Sequence, residues 1–154
     1  MPATLTYTDL AIVPTFADLP SEVIDWLLAH GERRTFAPNE VIVEPGSAAE
    51  YMLVVLAGGL QFFAIRNGQR EPAFRVEAGH ISGVLPYSRL QTLKAQGIAI
   101  GDTVVFLLHR NLFPELEQVS PELVQRLVGL MSDRARLEAR SQERDDKLRA
   151  LGKL

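Results

Sequence analysis

FAPNEVIVEPGSAAEYMLVVLAGGLQFF, residues 36–63, contains short apolar runs separated by groups of turn-forming residues. The runs are rich in Val, Ile, Leu and Phe, and the separators are Pro38-Asn39, Pro45-Gly46-Ser47 and Gly58-Gly59. β-Branched and aromatic residues favour strands, whereas Pro, Gly and Asn favour the turns that join them. This stretch therefore predicts a succession of short antiparallel strands.

The same pattern continues on both sides of this stretch. The segments with strand character are 33–36, 40–44, 51–57, 59–66, 71–77 and 103–109. Asn67-Gly68 is the strongest hairpin indication among their connections, because both central positions of a type I′ turn require a positive φ. Short strands that recur about every ten residues are typical of an antiparallel sandwich or barrel.

Helical periodicity appears only at the two ends of the chain. It predicts three helices: 14–31, 111–118 and 121–154. Asp18 or Ser21 is suited to cap the first helix, Pro20 suits its first turn, and Gly31 ends it. Ser120 stands directly before Pro121 and predicts the N-cap of the last helix.

Composition limits the class of protein. The chain has 154 residues, 47% apolar residues, a net charge of −3 and no cysteine, which indicates one domain with a real core and one appended element. We expect a domain at 1–130 and a C-terminal helix at 131–154. The weak negative charge speaks against nucleic acid as a partner. The start has no signal-peptide pattern and the apolar runs are too short to span a membrane, so we expect a cytoplasmic location and no membrane partner.

The order helix, β-barrel, turn-rich segment, short helix and long helix resembles the cyclic nucleotide-binding domain family. The likeness extends over residues 15–130. It rests on turn glycines and core residues that stand in the family's order: Phe36, Glu40, Val41, Ile42, Gly46, Tyr51, Val54, Leu56 and Gly58. The resemblance implies a mainly β fold with flanking helices, a jelly-roll or double-stranded β-helix barrel between an N-terminal helix and a long C-terminal helix.

The stretch GHISGVLPYSRL, residues 79–90, stands where that family has its phosphate-binding cassette. The family pattern is Gly-x-x-x-Gly-Glu, in which the Glu takes a ribose hydroxyl and an Arg about ten residues further on pairs with the cyclic phosphate. Here both glycines are kept, but Val84 replaces the Glu and Arg89 follows it by only five residues. The resemblance implies these ligand-binding residues: Gly79, His80, Ser82, Gly83, Val84, Leu85, Tyr87, Ser88 and Arg89.

The residues after the second glycine are suited to an anion. Pro86 can begin a helix that runs from Tyr87 towards Lys94, and the free N–H groups of Tyr87 and Ser88 would then face a ligand. Arg89 adds a bidentate donor. We therefore expect a cyclic nucleotide or another small anionic ligand. Three alternatives remain: Arg89 forms a structural ion pair, Tyr87 packs on the barrel rim, or the segment contacts the rest of a larger protein.

The C-terminal residues predict a partner for the long helix. A heptad-like seam runs along it through Leu123, Leu127, Leu130, Leu137, Leu148 and Leu151. ERDDKLRALGKL, residues 143–154, resembles the segment that enters the dimerisation helix of sensor histidine kinases, which implies a homodimer and kinase domains further along the chain. The alternative is a frayed tail with an accidental leucine spacing.

Motifs for catalysis are missing from the sequence. His30, His80 and His109 do not have metal-ligand spacing, and neither a nucleophile elbow nor a P-loop occurs. We predict that the chain is not an enzyme but a regulatory sensor domain that signals through its C-terminal helix to a histidine kinase. The alternatives are the dimerising effector domain of a catabolite activator-type transcription regulator and a ligand-free assembly domain.

Overall fold

A computed structural model describes residues 4–131 of the chain. The elements are, in order, helix α1 (Tyr7–Ala11), a 3₁₀ turn (Pro14–Phe16), helix α2 (Ser21–His30), strands β1 (Glu32–Phe36), β2 (Val41–Val43), β3 (Tyr51–Ala57), β4 (Gly59–Arg66), β5 (Gln69–Glu77), β6 (Ile81–Gly83), β7 (Ala95–Ala99) and β8 (Thr103–His109), a second 3₁₀ turn (Arg110–Leu112), helix α3 (Phe113–Val119) and helix α4 (121–131).

The strands form two four-stranded antiparallel sheets. One has the order β1-β8-β3-β6 and the other the order β2-β7-β4-β5. The β4–β5 connection turns at Asn67 and Gly68, which have φ values of +53° and +77°, as the type I′ prediction requires. The predicted fold, a mainly β jelly roll with flanking helices, is confirmed.

The central strands of the first sheet, β3 and β8, are buried on both faces. From β3, Leu53 and Val55 belong to the core between the two sheets, whereas Met52 and Val54 belong to the core beneath the helices. A strand that is buried on both faces has a continuous apolar sequence rather than an alternating one, which accounts for YMLVVLA. We call these two regions the inter-sheet core and the helix-side core.

The N-terminal helix differs from its prediction. The single helix expected over 14–31 is wrong in its first half, because only Pro14–Phe16 and Ser21–His30 are helical. Pro20 disfavours a helical conformation at the residue before it, and Asp18 has a φ of +62°, so the helix cannot pass through this point. Gly31 ends the helix as predicted. A Cβ at Gly31 would lie 2.1 Å from the Phe106 ring, so the residue also permits close packing on β8.

The last helix begins where the sequence places it, whereas α3 begins two residues later than predicted, after the 3₁₀ turn at Arg110–Leu112. Helix α3 lies within one residue of the predicted segment at its end, and the Ser120 Oγ accepts a hydrogen bond from the Leu123 N–H at 3.1 Å. The predicted cap of α4 is therefore confirmed. Leu123 and Leu127 of the proposed leucine seam are buried in the helix-side core. The last three seam leucines and the kinase-like stretch 143–154 lie outside the described residues, so the domain boundary at 130/131 stays a prediction.

Candidate ligand-binding site

A cavity of about 580 Å³ lies between the inner faces of the two sheets. Its size is in the range of small-molecule sites. The lining is mainly apolar and comes from both sheets and from the segment 84–94, which we call the cassette loop. The apolar lining residues are Phe36, Ile42, Val43, Leu53, Phe62, Phe74, Leu90, Leu93 and Leu107, and the polar ones are Arg34, Ser47, Glu50, Tyr51, Ser82 and Lys94.

Two aromatic rings form part of the cavity wall. Phe62 and Phe74 are paired across β4 and β5 and are stacked, with centroids 4.8 Å apart and an interplanar angle of 17°. Gly97 lies beneath Phe62, and a Cβ there would come within 3.0 Å of the ring. Phe62 is buried, whereas Phe74 remains 49% exposed. The cavity therefore presents an uncovered aromatic face.

The charged side chains of the cavity are not equivalent. Arg34 places one guanidinium nitrogen 2.9 Å from each carboxylate oxygen of Glu32, so its charge is balanced. Lys94 has no hydrogen-bond or ion-pair partner among residues 4–131. Glu50 is exposed. Lys94 is therefore the cation that is available to a ligand.

The cassette loop is not helical, and the helix predicted from Tyr87 towards Lys94 is wrong. The Ser88 N–H donates to the Leu85 carbonyl oxygen at 3.1 Å, which closes a turn with Pro86 and Tyr87 at its centre. Tyr87 has a φ of +68°, so this is a type II turn, which normally has Gly or Asn at that position. Because the Ser88 N–H is used inside the turn, the predicted helix N-terminus is not present to bind an anion.

The residues predicted to bind a ligand are distributed over different surroundings. Ser82 and Gly83 line the inter-sheet cavity, whereas Leu85, Tyr87 and Ser88 line a second cavity of about 270 Å³ between the cassette loop and the C-terminal helices.

The other four predicted residues line neither cavity. Val84 is only 1% exposed and belongs to the helix-side core. Gly79 is buried in the turn before β6 with a φ of +90°, and His80 is exposed beside it. Arg89 is exposed and forms no ion pair with another residue of the range 4–131, and the ion-pair alternative stays untested. No ligand role of any of these residues is tested, and the set stays a prediction.

Arg110 ties the cassette loop to the start of the C-terminal helices. Its guanidinium donates to the carbonyl oxygens of Ala49 and Leu90 at 2.8 Å each and of Ser88 at 3.2 Å. Its backbone N–H donates to the Glu50 carbonyl oxygen at 2.8 Å. The residue that leaves β8 thus holds the cavity rim and the cassette loop together.

A second link joins the cassette loop to α3. The Tyr87 hydroxyl donates a short hydrogen bond to the Glu117 carboxylate, and this bond raises the pKa of Tyr87 above its usual value of 10.0. Tyr87 is 67% exposed, so it does not pack on the barrel rim as one alternative supposed. The hydrogen bond helps to hold Tyr87 in the left-handed backbone region, which residues other than Gly and Asn rarely adopt.

Three residues of this site were missed from the sequence. Lys94 follows Val84 by ten residues, which is the family spacing of the phosphate-pairing Arg, so spacing alone would have identified it. Phe74 lies in a strand whose other residues are mostly exposed, and Arg110 follows a strand without any motif. For these two no local signal exists.

Within residues 4–131, no group of three His, Cys, Asp or Glu side chains is placed to hold a metal ion. The helices of this part of the chain are also too short or too polar to cross a membrane.

Two antiparallel sheets enclose a ligand-sized cavity, and the cassette loop beside it is hydrogen-bonded to Arg110 and to α3. The cyclic nucleotide-binding domain profile matches residues 33–119, which is more than half of the chain. The chain therefore belongs to the cyclic nucleotide-binding domain family. A search of curated proteins gives no match.

Several solved structures share the fold. The Thermus thermophilus Catabolite Activator Protein is 22% identical with a TM-score of 0.75, and the match covers 84% of this chain and 62% of that protein. The N-terminal domain of a transcriptional regulator from Streptomyces coelicolor A3(2) is 21% identical with a TM-score of 0.67, covering 87% and 94%. The regulatory subunit of a cAMP-independent protein kinase A from Trypanosoma cruzi, bound to guanosine, is 20% identical with a TM-score of 0.64, covering 76% and 41%. At these identities the likeness concerns the fold alone.

Proposed function

We propose that this domain is the sensor of a larger signalling protein. A small molecule in the inter-sheet cavity changes the position of the cassette loop, and Arg110 and Tyr87 pass that change to α3 and α4. The three hydrogen bonds of Arg110 carry this proposal, because they join the cavity rim and the cassette loop at the point where β8 leads into the helices. A ligand shifts such an equilibrium only by its differential affinity for the two positions.

The cavity supports a sensor over a ligand-free assembly domain. A domain without a ligand gains stability by filling space between its sheets, whereas here about 580 Å³ stays open and Phe74 stays half exposed. The Trypanosoma cruzi neighbour, described as cAMP-independent and bound to guanosine, supports a ligand other than cyclic AMP for this fold.

A thermal-shift screen of a metabolite library that includes cyclic nucleotides tests the proposal. Lys94→Ala removes the unpaired cation of the cavity, and Arg66→Ala removes an exposed cation at the end of β4 that lies outside it. We expect at least one compound to stabilise the wild type and Arg66→Ala but not Lys94→Ala. A library in which no compound stabilises the protein, or in which every hit acts equally on Lys94→Ala, would contradict the proposal.

The output partner in this proposal is a cytoplasmic histidine kinase in the same protein, reached through a homodimer of the C-terminal helices. The support is the resemblance of residues 143–154 to the kinase dimerisation segment.

The second candidate is the effector domain of a catabolite activator-type regulator, which the likeness to two transcription regulators favours. Sequencing the gene beyond codon 154 separates them: a phosphoacceptor helix supports the kinase, and a helix-turn-helix supports the regulator.

A further inference from the structure

We propose that the inter-sheet cavity binds a small acid with a flat apolar body, such as an aromatic carboxylate or an aromatic phosphate monoester, and not a cyclic nucleotide. This inference rests on the proposed function, since it names the ligand class of the same cavity. A volume of about 580 Å³ accommodates either class, so the chemistry of the lining decides between them.

The apolar part of the ligand is recognised by the aromatic wall. Phe74 stacks on Phe62 with one face and is 49% exposed. An exposed aromatic face that lines a cavity is apolar surface in contact with water, and a flat ring that stacks on it removes that contact. Leu90 and Leu93 of the cassette loop add further apolar lining.

The acidic part of the ligand is recognised by Lys94. Arg34 is already neutralised by both carboxylate oxygens of Glu32, whereas Lys94 has no partner within residues 4–131. A single free ammonium group suits one carboxylate or one phosphate, as a point charge that does not require a planar, bidentate geometry.

The carboxylate that binds the ribose in the family pattern is missing from this cavity. Val84, at the position of the family's ribose-binding Glu, is buried in the helix-side core and presents no acceptor. Glu50 is the one carboxylate among the described lining residues, and it is exposed. A neutral hydroxyl that replaces water at this carboxylate gains little free energy. Lys94 is exposed as well, but its charge also attracts an anion.

The experiment is isothermal titration of the protein with phenylacetate, indole-3-acetate and phenyl phosphate, and with cyclic AMP and cyclic GMP. Acetate and inorganic phosphate are the controls, because they carry the same carboxylate and phosphate groups without an aromatic ring. The variants are Lys94→Gln, Phe74→Ala and the control Arg66→Gln, which replaces an exposed cation that lines neither cavity. Each replaces a side chain that is largely or half exposed, so each should fold, which circular dichroism checks.

We expect saturable binding of at least one aromatic acid, and much weaker binding of acetate and inorganic phosphate. Lys94→Gln should weaken it about three- to tenfold, because Lys94 is exposed and water screens its charge. Phe74→Ala should weaken binding of the aromatic acids about fivefold or more through lost stacking, and Arg66→Gln should leave their binding unchanged. Phenylacetate and phenyl phosphate show which of the two anions the site prefers.

Two results would overturn the ligand class. If cyclic AMP or cyclic GMP binds more tightly than every aromatic acid, and Lys94→Gln weakens it, the class is wrong while the sensor function stands. If no aromatic acid binds with a Kd of about 10 mM or lower, the class is also wrong, and the library screen decides the sensor function separately.

Discussion

Replacing Arg110 by Met tests the link between the cavity and the C-terminal helices. The variant keeps an unbranched apolar stem but removes three donors, at 2.8, 2.8 and 3.2 Å from the carbonyl oxygens of Ala49, Leu90 and Ser88. A hydrogen bond from a charged donor contributes about 1.5–3 kcal/mol in favourable cases. Ala49 is buried, whereas Ser88 and Leu90 are half-buried. Water can therefore replace part of the hydrogen bonding that the carbonyl oxygens of Ser88 and Leu90 lose.

We therefore expect the free energy of unfolding to fall by about 2–4 kcal/mol rather than by the full sum of three bonds. For a domain of this size, the melting temperature should fall by about 5–15 °C. Urea unfolding, followed by the fluorescence of Trp26, the only tryptophan of the chain, measures the change. An unchanged denaturant dependence would show that the native and unfolded states expose the same surface as before.

Arg66→Met is the matched control. The Arg66 side chain is 66% exposed and its one ion pair, to Glu71, has an N–O distance of 3.9 Å. Such a pair contributes less than about 0.5 kcal/mol, so this variant should unfold almost as the wild type does. If Arg110→Met also stays within about 0.5 kcal/mol of the wild type, Arg110 does not hold the cassette loop and the reasoning is refuted.

Three further predictions follow from single contacts. Gly83→Ala should lower the free energy of unfolding by about 2–4 kcal/mol, because φ is +79° and the new Cβ would lie 2.4 Å from a carbonyl oxygen of β3. The control Gly68→Ala has a φ of +77° but open space around it, so it should lower the free energy of unfolding by only about 1 kcal/mol. Equal losses in urea unfolding would contradict the close approach of β6 to β3. Ser120→Ala removes the cap of α4 and should cost about 1 kcal/mol by the same measurement, whereas a change of a few tenths would contradict that cap. The pKa of Tyr87 is raised in the folded state, so its bond to Glu117 stabilises the protein fully below pH 10, and this stabilisation is lost as the pH rises through the raised pKa. Glu117→Gln should lower the pKa of one tyrosine in an absorbance titration at 295 nm, and unchanged pKa values for all three tyrosines would contradict the bond.

Most strands were predictable because the local residue pattern indicates where they begin and end. Residues 51–57 and 59–66 were predicted with the bounds that the structure has, since a Gly-Gly pair separates two apolar runs. Strands β6 and β7 were missed because ISG and AQGIA have small and polar residues, and they become strands only by pairing with β3 and β4. Their conformation depends on tertiary contacts that a local pattern does not contain.

The candidate site was only partly predictable for a related reason. The glycines and Val84 of the cassette were found from spacing, but their surroundings depend on how the chain bends at Gly83. With a φ of +79° there, Val84 belongs to the helix-side core instead of lining the cavity. Arg110 was not found because its role depends on carbonyl oxygens of residues 20 to 61 positions away in the chain.

The most direct test of the account is hydrogen exchange, read by mass spectrometry, on the wild type with and without the tightest-binding compound of the titration panel. The account predicts slower exchange in the cassette loop and also in α3 and α4, because Arg110 and Tyr87 connect them. In Arg110→Met, which keeps the Tyr87–Glu117 bond, the same compound should still slow exchange around the cavity but should slow it less in α3 and α4 than in the wild type. Protection confined to the cavity in the wild type would contradict the central claim that this domain passes ligand binding to its C-terminal helices.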